Sequence, residues 1–128
     1  KRESFDLAFV KSFCPKRFDK FVFAPSIGAA GGILTVWNSS VFVGTPWHVE
    51  SFEVGVSFVS TQSNDSWNLV NVYGPCTGQR RLDFTSWLFD LHIPDTENWL
   101  ILGDFNFIRT IENRNQPRGD LNDIFYLQ

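Results

Sequence analysis

Apolar residues along this chain recur at two spacings, and the points where one gives way to the other mark out the elements. Near the start, Phe5, Phe9 and Phe13 fall four residues apart with Leu7 and Val10 beside them. That spacing predicts a short amphipathic helix over Glu3 to Phe13, closed by Pro15. Lys20 to Pro25 reads as a short strand and Ile33 to Trp37 as another, joined by the small-residue loop Ser26 to Gly32. Phe52, Val54, Val56 and Phe58 alternate with Ser51, Glu53, Gly55 and Ser57, the period of a strand with one buried and one wetter face. After a turn at Thr61 to Ser66, Trp67 to Tyr73 follows as the antiparallel partner, and Gly74-Pro75 ends it. Helical spacing returns over Gln79 to His92, where Leu82, Phe84, Trp87, Leu88 and Leu91 share a face until Ile93-Pro94 stops it.

The sharpest transition lies at Trp99-Leu100-Ile101-Leu102-Gly103-Asp104-Phe105-Asn106. An apolar run bounded by glycine reads as a buried strand, and polar groups just past the C-terminal end of such a strand are where ligands of α/β sheets bind. If the backbone stays extended, alternation points Asp104 and Asn106 the same way and turns Phe105 inward. A carboxylate and an amide would then share one site. Gly, Asp and Asn are also common turn residues, so the segment has a purely structural reading beside the functional one.

The order of elements predicts an α+β fold in a single domain without a linker. Eleven basic against fourteen acidic residues in 128 leave a net charge of −3, which excludes a protein that grips DNA through a basic surface alone. Any nucleic-acid contact has to be local or metal-assisted. No apolar run approaches the ~20 residues of a membrane-spanning helix, and no signal segment follows the polar start Lys1-Arg2-Glu3-Ser4. A nuclear or cytoplasmic protein that is not secreted is the expectation. Cys14 and Cys76 stand far apart with no partner at metal spacing, so free thiols in a reducing compartment are expected. Fourteen Phe and five Trp are more aromatic bulk than one small core readily buries, which suggests a piece of a larger domain. The Ser26 to Gly32 loop lacks the Gly-Lys-Ser/Thr ending of a phosphate-binding loop and leads into a strand, so it reads as a connector.

Taken together, Asn71-Val72-Tyr73-Gly74-Pro75, the helix bearing Arg80 and Arg81, and the run ending Gly103-Asp104-Phe105-Asn106 resemble the endonuclease/exonuclease/phosphatase superfamily. The nearest resemblance is to the endonuclease domain of plant LINE-type (non-LTR) retrotransposons, and Gly31 to Trp37 is similar to a glycine-led strand of those domains. The resemblance implies a DNase I-like α/β/β/α four-layer sandwich, two mostly antiparallel sheets flanked by helices, with residues 1–128 as a partial domain truncated at both ends. It implies Mg²⁺-dependent (or Mn²⁺-dependent) nicking of DNA to leave a 3′-hydroxyl for a linked reverse transcriptase. Asp104 matches the aspartate that handles the attacking water or the metal, Asn106 the asparagine that orients the scissile phosphate, and Tyr73 the tyrosine whose hydroxyl reaches it. Such groups suit phosphodiester hydrolysis, which needs a cation to neutralise oxygen charge, a base for water and donors for the equatorial oxygens.

Several of the family's groups have no counterpart here. Its metal-binding Glu, in a Glu-Thr-Lys segment, would precede Lys1, and its later Asp and Asp-His pair would follow Gln128, so the isolated chain is expected to be inactive. Cys76 stands where some relatives carry a phosphate-touching Asn. Arg109, Arg114 and Arg118 are the DNA-contact candidates, while Arg80 and Arg81 read as a solvated helix face. His92 at the end of a helix and His48, after Trp47 in the loop before the alternating strand, read as ordinary histidines. Two other functions remain open at this point: a non-catalytic remnant or binding surface of a decayed element, and a phosphomonoesterase of the same fold acting on lipid or inositol phosphates.

Overall fold

The structure, a computed structural model, describes residues 6–25, 32–75 and 78–106. Among them it has two helices and six strands: α1 (Leu7–Phe13), β1 (Lys20–Ala24), β2 (Ile33–Trp37), β3 (Phe42–Val49), β4 (Glu53–Ser60), β5 (Ser66–Tyr73), α2 (Gln79–Asp90) and β6 (Trp99–Asp104). The fold is α+β with two sheets. β1 and β2 form an antiparallel pair, and the second sheet has the order β3-β4-β5-β6. β3, β4 and β5 are antiparallel neighbours, whereas β6 joins β5 in parallel after the crossover through α2. A parallel neighbour cannot be reached by a tight turn, which is why a helix intervenes.

The four-stranded sheet is covered on both faces. The β1–β2 pair lies over one face, where Ala24, Ile33, Trp37, Val54, Val56, Phe58 and Leu69 form a buried cluster. Trp37 meets Phe58 edge to face at 5.5 Å, and Phe58 stacks on Trp67 at 4.8 Å, geometries that add directional attraction to the area buried. On the opposite face Val70 and Val72 pack against Phe84 of α2, with Trp87, Trp99, Ile101 and Phe105 around them. A polar tie joins the sheets: the Asn71 side-chain amide donates to Leu34 O at 3.4 Å and Thr35 Oγ1 at 3.3 Å.

Where the elements depart from the sequence pattern, the cause is tertiary. His48 was expected in a loop, but it lies in β3, an edge strand, and the edge together with the bulge after Pro46 is what lets a strand accommodate that proline. The wetter face expected for β4 is buried too, since Glu53 and Gly55 lie under α2 and the Trp47 indole. In α1 it is Val10 that is buried, while Phe13 is exposed; Phe5 lies outside the described residues. Asp6 caps α1 by accepting from Phe9 N at 2.7 Å. In α2, Leu82 is exposed and Arg81 is buried, so the solvated-face reading fails for Arg81 and holds for Arg80. Cys14 is a half-buried free thiol, while Cys76 lies outside the described residues. None of the described helices is long and apolar enough to cross a membrane.

The bend from β2 into β3 is tied back to the start of β1. Asp19 accepts from Ser39 N at 2.8 Å and also from the Ser39 hydroxyl. Those hydrogen bonds from Ser39 hold its carboxyl below the ordinary value of 3.8. A depressed folded-state pKa contributes stability that is present above the unfolded value and lost as pH falls through the folded one. Asp19→Ala should therefore melt below the wild-type chain near neutral pH, and the gap should narrow below the carboxylate range. Thermal melts of both proteins at the two pH values measure it, and a gap independent of pH would assign Asp19 another role.

Candidate functional site

Tyr73 and Asp104 end their strands as direct partners in the parallel β5–β6 pair. Directly opposed residues project from the same sheet face. That face is the one under the β1–β2 pair, because Tyr73 packs against its buried cluster and Leu69, four residues earlier on the same face of β5, belongs to that cluster. The short sheet does not cover the edge strand β6 on this face: Leu100 and Leu102 are 48% and 42% exposed, and at the strand end Asp104 is open to solvent while Tyr73 is half-buried.

The backbone past the strands closes into a clasp. Gly74 N donates to Asp104 O at 2.6 Å, carrying the ladder one step beyond β5 and β6, and Tyr73 N donates to Phe52 O at 2.8 Å. The Asn106 side-chain amide donates to Gly74 O. Asp104 Oδ1 accepts from Asn106 N at 2.9 Å, an Asx turn. Asn106 has φ 52°, in the left-handed region that Asn tolerates better than most side chains. The expected extended alternation of Asp104 and Asn106 therefore does not hold, because the strand ends at Asp104 and a left-handed turn, not the pleat, brings Asn106 back over Gly74. Two glycines make the clasp possible. A Cβ on Gly74 would run into the Phe105 carbonyl, and one on Gly103, at φ 135°, would run into the Val72 carbonyl.

The structure thus gathers Tyr73, Asp104 and Asn106 at one strand end. A carboxylate with one oxygen engaged by a backbone N–H, a side-chain amide with one N–H engaged by a carbonyl, and a phenol stand together there. Remaining valences of this kind suit an oxyanion with attached hydroxyls or waters. No group of three His, Cys, Asp or Glu side chains among the described residues is placed to hold a metal ion. Asp104 alone does not make a Mg²⁺ or Mn²⁺ centre, so the described residues do not fit the ion by themselves. Arg109, Arg114 and Arg118 lie outside the described residues. Arg80 is exposed, with its guanidinium 6.0 Å from the Phe52 ring centre, and His92 is exposed beyond the end of α2.

One feature escaped the sequence pattern. His48 lies in β3, not in a loop, and its Nε2 is 2.9 Å from Glu53 Oε1. The register of β3 on β4 shifts between Pro46 and His48. At that bulge the consecutive Trp47 and His48 both turn toward the α2 face, where Trp47 meets Trp99 and His48 stacks on Trp87. Burial pushes the Glu53 carboxyl above its ordinary value, opposed by the His48 contact. A His and a Glu five apart across a tight hairpin were the available signal, and only the hairpin register gives it meaning. No protein-family model matches the chain, and no curated protein matches it in sequence at a significant level.

Proposed function

We propose that the chain is part of a phosphodiesterase domain of the endonuclease/exonuclease/phosphatase type, derived from a retrotransposon endonuclease that nicks DNA, with Tyr73, Asp104 and Asn106 at its phosphate-handling end. The single observation that supports this reading most is the rung Tyr73–Asp104 at the C-terminal ends of two adjacent parallel strands, with Asn106 folded back onto the same turn. Strand ends of this kind are where α/β sheets bind ligands. An α+β fold with one sheet laid over another and a helix on the outer face is compatible with a DNase I-like sandwich.

In this reading the Tyr73 hydroxyl and the free N–H of the Asn106 amide donate to the non-bridging phosphate oxygens, and the Asp104 carboxylate orients the attacking water. The Asx turn fixes the carboxylate before substrate arrives, which is the preorganisation that makes such groups effective. A divalent ion would need donors beyond the described residues, and no step is assigned to it here. DNA and a linked reverse transcriptase are the partners this reading carries.

The test is a titration of the isotope-labelled chain with thymidylyl-thymidine, a minimal phosphodiester, with Mg²⁺ present, followed by amide NMR. Saturable shifts confined to Gly74, Phe105 and Asn106, and lost in Tyr73→Phe, are expected. Shifts that are absent, or that fall elsewhere in the chain, overturn the assignment.

A further inference from the structure

The α2 face of the sheet carries a cavity of about 320 Å³, lined by His48, Glu50, Phe52, Glu53, Asp83 and Trp87 among others. It is separate from the strand-end site. Glu53 pairs with Val72, whose side chain faces α2, whereas Tyr73 and Asp104 project from the opposite face.

Two independent observations make this cavity more than a packing gap. The first is a buried carboxylate oxygen with no partner. Glu53 is 6% exposed, its Oε1 is taken by His48, and its Oε2 has no hydrogen-bond partner among the described residues. A buried acceptor left unmade costs free energy, so a native one calls for a ligand or other compensation. The second is the wall around it. His48 lies flat on Trp87, with centroids 5.9 Å apart and planes 10° apart; Trp87 stacks on Phe84 at 5.9 Å; and Phe84 meets Phe52 at 6.5 Å. Ring faces attract cations, and Arg80 already shows it on the Phe52 ring. Glu50 and Asp83 add two exposed carboxylates to the lining.

We propose that this cavity binds a guanidinium group, with the planar cation lying along the aromatic wall and donating to Glu53 Oε2 while Oε1 keeps His48. Three carboxylates in the lining outnumber the His48 imidazole and the Arg80 guanidinium at the Phe52 ring, a balance that favours a cation. The absence of a three-ligand His/Cys/Asp/Glu group among the described residues disfavours a metal ion, and flat rings beside a single unpartnered carboxylate oxygen favour a planar donor over a compact ammonium. The guanidinium belongs either to an arginine side chain of a partner polypeptide or to a small guanidine compound. This inference does not rest on the phosphodiesterase reading.

Calorimetric titration with agmatine, with the peptide Gly-Arg-Gly and with n-butylammonium separates the cases, and the Trp87 indole N–H resonance reports the location. Saturable binding of either guanidine probe, tighter than n-butylammonium and shifting Trp87, is expected. Glu53→Gln keeps the shape and an acceptor for His48 but removes the charge, and should weaken binding at least about tenfold. Trp87→Leu, which removes the stacking wall while leaving Glu53 in place, should weaken it as well. Tighter binding of the peptide identifies a polypeptide source, and tighter binding of agmatine a small molecule. Binding unchanged in a folded Glu53→Gln protein, or no saturable heat with either guanidine probe on the wild-type chain, overturns the proposal.

Discussion

Gly103→Ala is expected to destabilise the chain by about 3 kcal/mol or more and to lower its melting temperature by on the order of 10 °C. Two costs combine at this position. The backbone has φ 135°, a region closed to residues with a Cβ, and that Cβ would be driven into the Val72 carbonyl of the neighbouring strand. Neither can be relieved by a side-chain rotation, because the obstacle is backbone held in the β5–β6 ladder. Gly78 provides the control. It too has a positive φ, 78°, with ψ −164°, a region reserved for glycine, but a Cβ there would meet nothing within 4 Å, so Gly78→Ala should carry the backbone strain alone, about 1–3 kcal/mol. The difference between the two variants, read by denaturant titration, isolates the collision. Equal losses would mean that β6 shifts away from β5 at little cost. The same shift would also carry Asp104 off its rung beside Tyr73, so the glycine that ends the apolar run is a condition of the site as well as of the sheet.

How much of this was legible in the sequence depended on whether an element's surroundings could be read from its own period. β2, β5 and α2 announce themselves because their apolar positions face a core and their ends carry Gly, Pro or Asn. β6 was legible as a strand but not in its place: expected to be buried, it is an edge strand among the described residues with no fully buried residue, because the β1–β2 pair does not reach over Leu100 and Leu102. β3 does not announce itself. Its Gly44 and Pro46 mimic loop chemistry, and only its edge position and the bulge beside Pro46 make them compatible with a strand. Alternation in β4 was visible, but the dryness of its second face was not, since that face is closed by Trp47 from β3 and by α2, contacts distant in the chain or set by the bulge. Asp104 and Tyr73 could be grouped from the strand–helix–strand order alone, because a parallel crossover brings like ends together. The conformation of Asn106 could not. Its left-handed turn is stabilised by the Asp104 carboxylate and the Gly74 carbonyl, a local competition that alternation ignores. The His48–Glu53 pair needed both the hairpin and its bulge, so no single-strand pattern encodes it.

On the phosphodiesterase reading proposed above, Asp104→Asn in the natural protein that carries these residues is expected to lower Mg²⁺-dependent nicking of supercoiled plasmid by about 10²-fold or more, with little change in melting temperature. The pairing of those two outcomes is what makes the variant informative. Asn retains a side-chain oxygen able to accept the Asn106 N–H that Asp104 Oδ1 now accepts at 2.9 Å, so the turn, and through it the Asn106 contact with Gly74 O, should persist. Only the charge and the basicity are removed. If Asp104 serves the turn alone, the substitution leaves both nicking and stability near wild type, and the catalytic assignment falls. If Asp104 orients water or neutralises developing charge, activity is lost from a folded protein. Asn106→Ala separates the roles from the other side: it breaks the link to Gly74 O and should reduce stability along with activity. Tyr73→Phe removes one hydroxyl from a ring that packs on the core, and should cost about tenfold in rate without loosening the fold. A linear denaturation slope that matches wild type for Asp104→Asn and Tyr73→Phe, set against their separate rate losses, would distinguish chemistry at the strand ends from the clasp that holds them there.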